Sequence, residues 1–196
     1  MDKAEAGDNS LQILVVDDEK LLVIGNMKLL ASLGYRVISA KNRQECMSAI
    51  QTYHPDMILL DVVLHNESGI ELCREIKQVS QQPKPFIVLY TGLAYTSENI
   101  SKGLEAGADG YISRDIPRGE FKNWIETYAR LKQTQNELYE QENRYRTLFD
   151  TLTEGVIVLD ASGRVIDVNP AAEEILGYSR REIIGSTLSD PKWAAI

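Results

Sequence analysis

Short apolar runs alternate with longer amphipathic segments through the first part of the chain. The runs are typical of strands buried on both faces, because their apolar residues are consecutive and often β-branched. Between the runs, apolar residues recur at near-helical spacing, and Gly34 and Gly107 follow two of these segments in the position of a left-handed helix cap. The predicted strands span residues 11–16, 35–40, 57–60, 86–90 and 110–113.

The alternation of five strands with five helices predicts an α/β domain built on a doubly wound, five-stranded parallel sheet. Short crossover connections require parallel strands and right-handed connections. The carboxyl ends of all strands then lie along one edge of the sheet, where open α/β sheets place their functional groups. The residues that follow each strand are therefore the first candidates for a functional site.

Polar side chains follow four of the five predicted strands. They are Asp17 and Asp18 after the first strand, Asp61 after the third, Thr91 at the end of the fourth and Arg114 after the fifth. Carboxylates at one edge repel each other, and Mg²⁺ relieves that repulsion while leaving room for phosphate oxygens. One carboxylate could then act as a nucleophile and form an acyl phosphate, while the hydroxyl and the guanidinium suit the phosphoryl oxygens. Because the chain has neither a P-loop nor a GxGxxG motif, the donor would be a phosphorylated molecule other than a nucleotide.

Composition excludes several other classes of protein. The 196 residues carry a net charge of -8 without a basic cluster, which argues against nucleic-acid binding. No apolar run approaches the roughly 18 residues of a membrane helix, and the polar start, with residues 1–10 as a disordered lead-in, is no signal peptide. Cys46 and Cys73 lack metal-ligand spacing, so we expect buried, reduced thiols. The sequence predicts a soluble, cytoplasmic protein without a membrane partner.

Four motifs together resemble the receiver domain of bacterial and archaeal response regulators, which belong to two-component systems. Each motif is weak alone, but all stand in the family's order and on the expected elements over residues 11–131. The motifs are Val15-Val16-Asp17-Asp18-Glu19, the strand that ends in Asp61, Tyr90-Thr91-Gly92, and Gly107-Ala108-Asp109-Gly110-Tyr111-Ile112-Ser113. The resemblance implies a flavodoxin-like fold and a role as a response regulator in a phosphorelay.

The resemblance also implies roles for individual residues. Asp61 would accept a phosphoryl group from a phosphohistidine on a sensor histidine kinase or phosphotransfer protein. Thr91 would bond a phosphoryl oxygen, and Tyr111 would be the switch aromatic whose orientation follows that bond. Asp17, Asp18, Asp61 and the backbone carbonyl of Val63 would hold Mg²⁺. The chain would be a phosphoacceptor that supports its own phosphotransfer and not an enzyme, since it carries no kinase catalytic segment.

Three residues depart from the family pattern. Arg114-Asp115 stands where receivers almost always have Lys-Pro, and His65 stands where they usually have Pro. The exchange of Lys for Arg is not conservative, because the guanidinium is larger and planar. Neither His54 nor His65 has a partner at ligand spacing, so both are predicted to be surface or structural residues. Three alternatives stay open: an unphosphorylated pseudo-receiver that works through protein contacts, a flavodoxin-like small-molecule enzyme, and the N-terminal fragment of a hybrid sensor kinase.

The last helix of this domain continues beyond the length that a lone receiver needs. Residues 121–149 contain neither Gly nor Pro, and apolar residues recur there every seven positions. The seam consists of Trp124, Leu131, Leu138 and Tyr145, with Phe121, Tyr128 and Phe149 on companion positions that Gln135 and Glu142 interrupt. This pattern predicts a parallel homodimer through a signalling helix at residues 120–149, and a solvated single linker helix is the alternative.

Residues 150–196 carry a different pattern. Two apolar runs, 155–160 and 165–168, flank Ala161-Ser162-Gly163 and predict a hairpin. Asn169-Pro170 then begins a short helix, and Ser179 with Glu182 forms a capping box. The stretch resembles the opening half of a PAS sensory domain over residues 144–196. A whole PAS fold needs about as much chain again, so we expect a partial PAS domain and assume no ligand for it.

Overall fold

The computed structural model describes residues 11–65, 67–79, 82–92, 96–187 and 189–191. The predicted disordered lead-in, residues 1–10, lies outside the described residues. The chain divides into two compact units, Met1–Asn136 and Glu137–Ile196.

The first unit alternates strands and helices as the sequence predicts. Its strands are β1 (Gln12–Val16), β2 (Arg36–Ala40), β3 (Met57–Leu60), β4 (Val63–Leu64), β5 (Glu67–Ser68), β6 (Phe86–Thr91) and β7 (Gly110–Ser113). Its helices are α1 (Lys20–Ser32), α2 (Arg43–Tyr53), α3 (Gly69–Val79), α4 (Ser97–Glu105) and the first part of α5 (Arg118–Thr151). Five strands pair in parallel in the order β2-β1-β3-β6-β7, which confirms the predicted doubly wound sheet.

Apolar side chains cover both faces of this sheet. On one face, Ile58 and Ile87 pack with α2 and α3 in a buried cluster that includes Cys46 and Cys73. On the other face, residues of β1, β3 and β6 pack with α1 and α5. Both cysteines are buried and free, as predicted, and burial raises the pKa of the Cys46 thiol to about 12 and that of the Cys73 thiol to about 11. The strand ends are therefore fixed by packing on two sides.

The segment that follows Asp61 differs from the loop predicted there. β4 and β5 form a small antiparallel pair, with Val63 opposite Ser68. His65 takes a positive φ of 52° at the turn between them. Two-residue strands are too short to show a period of two, so the turn residues alone determined the sequence prediction.

Polar side chains of α5 bind the opposite, amino-terminal edge of the sheet. Asn136 donates a hydrogen bond to Oδ1 of Asp56 at 3.0 Å, and Oδ2 of Asp56 accepts one from the Gln12 amide at 2.9 Å. Lys132 is only 1% exposed, and its ammonium donates to the carbonyl of Lys84 at 2.6 Å. Burial lowers the pKa of Lys132. These bonds hold α5 against the sheet as far as the last residue of the first unit.

α5 is one continuous helix of 34 residues, which confirms the predicted extension. The seam residues Trp124, Leu131, Leu138 and Tyr145 are exposed, at 43%, 51%, 65% and 54% respectively. The companion positions behave differently: Phe121 and Tyr128 are buried in the core beneath the sheet. Their assignment to a dimer seam was therefore wrong, because receiver packing already takes up those side chains. No helix among the described residues combines the length and apolarity that crossing a membrane requires.

The second unit begins within α5 and contains the predicted hairpin. β8 (Ile157–Leu159) pairs antiparallel with β9 (Val165–Val168), and Gly163 takes a φ of +80° in the turn. The helices α6 (Pro170–Leu176) and α7 (Arg180–Ile183) follow. A small apolar core of Val165, Val168, Ala172 and Ile183 joins these elements.

Asn169 organises this unit from a fully buried position. Its side-chain oxygen accepts from the amides of Val156 at 2.8 Å and Ala172 at 3.0 Å. Its amide group donates to the carbonyl of Glu154 at 2.9 Å. One side chain thus caps α6, as the Asn-Pro pair indicated, and also ties the helix to the chain that enters β8.

Replacement of Asn169 by Ala should unfold the second unit selectively. The substitution leaves several buried backbone groups without partners, at a cost of about 2–4 kcal/mol. Hydrogen exchange at residues 156–169 should become faster, while exchange in the sheet of the first unit stays unchanged. Asn143→Ala, at an exposed position of α5, is the matched control. Equal protection in Asn169→Ala and the control would contradict this role.

Candidate functional site

Adjacent strands bring Asp17 and Asp61 side by side at the carboxyl edge of the sheet. β1 and β3 pair with Val16 opposite Leu60, so the residue after each strand lies next to the other. The Asp61 amide donates to the Val16 carbonyl at 2.9 Å, and the Asp17 amide donates to the Ala40 carbonyl at 3.1 Å. Backbone pairing therefore fixes both carboxylates, whose side chains are 3% and 8% exposed.

Asp18 completes a cluster of three carboxylates. One oxygen from each of Asp17, Asp18 and Asp61 lies within 4.8 Å of the others. Oδ1 of Asp17 accepts a hydrogen bond from the Glu19 amide at 2.8 Å, which shapes the turn that presents Asp18. Carboxylate oxygens are the ligands that Mg²⁺ prefers, so these three residues fit that ion. The structure thus brings together the carboxylates that the sequence placed at this edge.

The environment of Asp61 makes its ionised form costly. Burial raises the pKa of Asp61 to about 6, while the nearby Arg114 guanidinium and the amides of Val62 and Val63 act in the opposite direction. Burial also raises the pKa of Asp17, against a lowering contribution from the Glu19 amide. A bound cation would favour the ionised carboxylates, because it offsets both burial and mutual repulsion.

Arg114 reaches this cluster from two strands away. A single nitrogen, Nη2, forms ion pairs with Asp17 and with Oδ2 of Asp61, the second at 3.0 Å. The guanidinium carbon lies 5.4 Å from the centre of the Tyr90 ring, within cation–π range. Tyr90 precedes Thr91 on β6, between the acceptor strand and β7. The sequence indicated a cation at this edge, but it did not indicate that one nitrogen would contact two carboxylates.

His65 is a site contact that the sequence did not reveal. Its Nδ1 contacts Oδ2 of Asp18, although its side chain is 78% exposed. The predicted surface location is correct, and sequence spacing gave no sign of the contact with Asp18. The two residues are far apart in sequence, and the β4–β5 turn that joins them spatially was itself not predicted. His54 is exposed and takes a left-handed conformation at the end of α2.

The remaining predicted site residues lie on the expected elements. Thr91 ends β6, is 2% exposed, and its carbonyl accepts from the Arg114 amide at 2.9 Å. Tyr111 lies on β7, partly buried against the core on the α3 face, with its ring directed at α4 near Gly103. Val63 lies in β4 just after Asp61, and the role of its carbonyl as a metal ligand stays a prediction.

Gly69 is a further position that the loop around Asp61 requires. A Cβ added there would overlap the carbonyl oxygen of Asp61. The Gly69 amide donates to the Val62 carbonyl at 2.8 Å, which closes the turn. Ser68 precedes it, and its hydroxyl oxygen accepts from the Glu71 amide at 3.4 Å, as a helix N-cap does.

A doubly wound parallel sheet with this acidic cluster, hydroxyl and cation at its carboxyl edge defines the receiver class of signalling domains. The family model "Response regulator receiver domain" matches residues 13–126, and a PAS domain model matches residues 143–194. The chain belongs to the response regulator receiver family of two-component systems, and its second unit matches the PAS domain. Both resemblances drawn from the sequence motifs are confirmed.

The chain aligns with several transcriptional regulators and covers a different share of each one. The transcriptional regulatory protein BaeR of Escherichia coli is 30% identical over 169 residues, which cover 86% of this chain and 68% of BaeR. The alkaline phosphatase synthesis transcriptional regulatory protein PhoP of Bacillus subtilis is 37% identical over 121 residues, 61% of this chain and 48% of PhoP. The probable transcriptional regulator ycf27 of Cyanophora paradoxa is 28% identical, with 93% of this chain and 74% of that protein covered. The chain thus spans between about half and three quarters of these relatives.

Solved receiver domains have the same fold as the first unit. A CheY-like receiver domain protein from Methanospirillum hungatei superposes with a TM-score of 0.59 at 25% identity, over 65% of this chain and 99% of that domain. The BeF3-activated DrrB receiver domain superposes with a TM-score of 0.54 at 28% identity, over 61% of this chain and 97% of that domain.

Replacement of Asp61 by Asn should stabilise the metal-free protein at neutral pH. Because the pKa of Asp61 is raised to about 6, the ionised carboxylate disfavours folding above that pH, and the cost disappears as the pH falls through about 4. We expect a gain of up to about 3 kcal/mol in unfolding free energy at about pH 7.5 in EDTA, vanishing near about pH 4.

Urea unfolding of both proteins over this pH range measures the difference. Asp115→Asn, at an exposed position, should leave stability unchanged. An Asp61→Asn protein that is less stable than wild type at neutral pH would contradict a costly buried carboxylate.

Proposed function

We propose that this chain is a response regulator in which Asp61 accepts a phosphoryl group from a sensor histidine kinase or phosphotransfer protein. The carboxylate cluster is the observation that carries the proposal. Asp61 is held by backbone pairing, lies among two further carboxylates suited to Mg²⁺, and has a guanidinium nitrogen 3.0 Å away. Membership of the receiver family supports the same role.

The arrangement suits in-line transfer to a carboxylate. One oxygen of Asp61 forms the new P–O bond while the P–N bond of the phosphohistidine breaks, and the released imidazole nitrogen takes up a proton. The Thr91 hydroxyl and the Arg114 guanidinium stand at the same edge and can donate to phosphoryl oxygens. Mg²⁺ held by Asp17 and Asp18 would neutralise charge on the transferred group.

The phosphoryl group would act as a charge switch. It adds about -1.5 to -2 charge at the edge of the sheet. Thr91 and Arg114 are drawn to it. Tyr111 lies on β7, the strand next to Thr91, and its ring beside α4 would reorient when Thr91 moves. A complete shift between two states needs a difference of about 5 kcal/mol in how they interact with the phosphoryl group. The neighbour of Tyr111 on β7, Ile112, packs with α5 in the core on the other face of the sheet, and α5 continues into the second unit.

Incubation with acetyl phosphate and Mg²⁺ should add one phosphoryl group to the wild-type protein. Asp61→Asn should abolish the added mass, because its amide is not a nucleophile. Intact-protein mass spectrometry measures the result, with an EDTA sample as the metal-free control. Persistent labelling of Asp61→Asn at the wild-type level would show that the acceptor is another residue.

An unphosphorylated pseudo-receiver is the second candidate. The observation that favours it is the ion pairing of Arg114 with Asp17 and Asp61, which uses carboxylate oxygens that a metal and a phosphoryl group need. This candidate predicts no labelling in the same experiment, together with an intact fold.

We further propose that two copies of the chain associate in parallel through α5. Trp124 and Leu131 in the first unit, and Leu138 and Tyr145 in the second, are between 43% and 65% exposed. Large exposed apolar side chains at a strict seven-residue spacing supply one of the two apolar positions per heptad of a coiled coil. A dimer would cover these side chains and join two PAS units to two receivers.

Cysteine cross-linking distinguishes a parallel from an antiparallel seam. In a parallel dimer, Leu131→Cys and Tyr145→Cys should each form a disulfide with the same position of the second copy under mild oxidation. Glu140→Cys lies on another face of the exposed helix and should stay monomeric on non-reducing gels. Both native cysteines are buried and give a low background. Monomeric Leu131→Cys and Tyr145→Cys proteins would contradict the parallel seam.

A further inference from the structure

Arg114 pairs with two of the three carboxylates that suit a metal ion. Its Nη2 atom pairs with Asp17 and lies 3.0 Å from Oδ2 of Asp61, and both acids belong to the three-carboxylate cluster. The two carboxylates are almost inaccessible to solvent, and the Arg114 side chain itself is 17% exposed. In such a site water screens charge poorly, so the guanidinium supplies much of the positive charge that the cluster needs.

The local structure makes room for this side chain at the site. Gly92 lies beside it, and a Cβ there would come within 3.4 Å of Cδ of Arg114. The Tyr90 ring supports the guanidinium carbon at 5.4 Å. Nε of Arg114 is buried and has no hydrogen-bond partner among the described residues. The polar contacts of the guanidinium are thus with the two acids, and its position depends on them.

We propose that Arg114 is a tethered cation that competes with Mg²⁺ for Asp17 and Asp61, which makes this receiver a weak binder of divalent metal. The inference rests on the proposed function of the cluster as a metal site. A metal ion that takes the Oδ2 atoms of Asp17 and Asp61 displaces Nη2 from them, because the two positive charges repel each other at that distance. The displaced guanidinium is then available to the oxygens of an incoming phosphoryl group.

The competition has a consequence for the order of events at the site. Metal binding and release of Arg114 are one coupled step, so part of the metal's interaction energy is used to break two ion pairs. A protein without the tethered charge should therefore bind the metal more tightly, even though it loses a group that favours the phosphoryl oxygens. Metal affinity and phosphoryl acceptance should move in opposite directions when Arg114 is replaced.

Isothermal titration calorimetry with MgCl₂ on the full chain tests the inference directly. Arg114→Gln keeps a polar side chain but removes the guanidinium and its charge, and we expect Mg²⁺ to bind about tenfold more tightly or better. Arg118→Gln removes an exposed charge that lines the same surface cavity as Arg114, and it should change the Kd by less than about twofold.

The outcomes separate the inference from the proposed function. Equal Mg²⁺ affinity of wild type and Arg114→Gln would contradict the competition between Arg114 and Mg²⁺, but not the proposed metal site. Absence of Mg²⁺ binding in both proteins contradicts the tethered cation and the proposed metal site together. An equal gain in Arg118→Gln would reduce the effect to general charge, which also overturns the inference.

A measurement on the wild-type protein covers the case in which Arg114→Gln fails to fold. The ¹⁵N resonance of Arg114 Nε should shift during a Mg²⁺ titration. Its shift should reach a plateau at the same Mg²⁺ concentration as the shift of the Asp17 amide resonance. An Nε resonance that stays in place while the Asp17 amide shifts would show that the metal binds without displacing the guanidinium.

Discussion

The need to neutralise three carboxylates gathered at one sheet edge governs the chemistry of this protein. Parallel pairing of β1 with β3 places Asp17 beside Asp61, and the turn after Asp17 adds Asp18. Burial and the neighbouring carboxylates raise the pKa values of Asp17 and Asp61, so the arrangement favours a positive partner. The chain itself supplies the Arg114 guanidinium, and the carboxylate oxygens also suit Mg²⁺. A phosphoryl group bound at Asp61 would be held by the same charges.

The same strands connect this edge to the long helix. Asp61 follows β3 at the carboxyl edge, while Asp56 precedes β3 and accepts the hydrogen bond of Asn136 on α5 at the other edge. The buried Lys132 adds a second anchor close by. Within the first unit, α5 is therefore fixed both to the core and to the amino-terminal edge of the sheet.

Much of the fold could be predicted from the sequence because its signals are local. Consecutive apolar residues such as Ile58 and Leu59 marked the buried strands, and Asn169-Pro170 marked the start of α6 through the capping chemistry of asparagine. The three carboxylates could be placed at one edge because parallel strands bring their carboxyl ends together. The features that escaped prediction depend on three-dimensional proximity. His65 contacts Asp18 across a turn between two-residue strands. Phe121 and Tyr128 pack against the sheet, although their spacing also fits a coiled coil. Periodicity cannot tell which of two apolar surfaces a helix position will cover.

The central claim is that Asp61 carries the phosphoryl group. Reduction with borohydride converts an aspartyl phosphate to homoserine, and peptide mass spectrometry then locates that residue after treatment with acetyl phosphate and Mg²⁺. We expect homoserine at position 61 and aspartate at positions 17 and 18. Homoserine at another position, or a labelled protein with unmodified Asp61, would contradict the assignment.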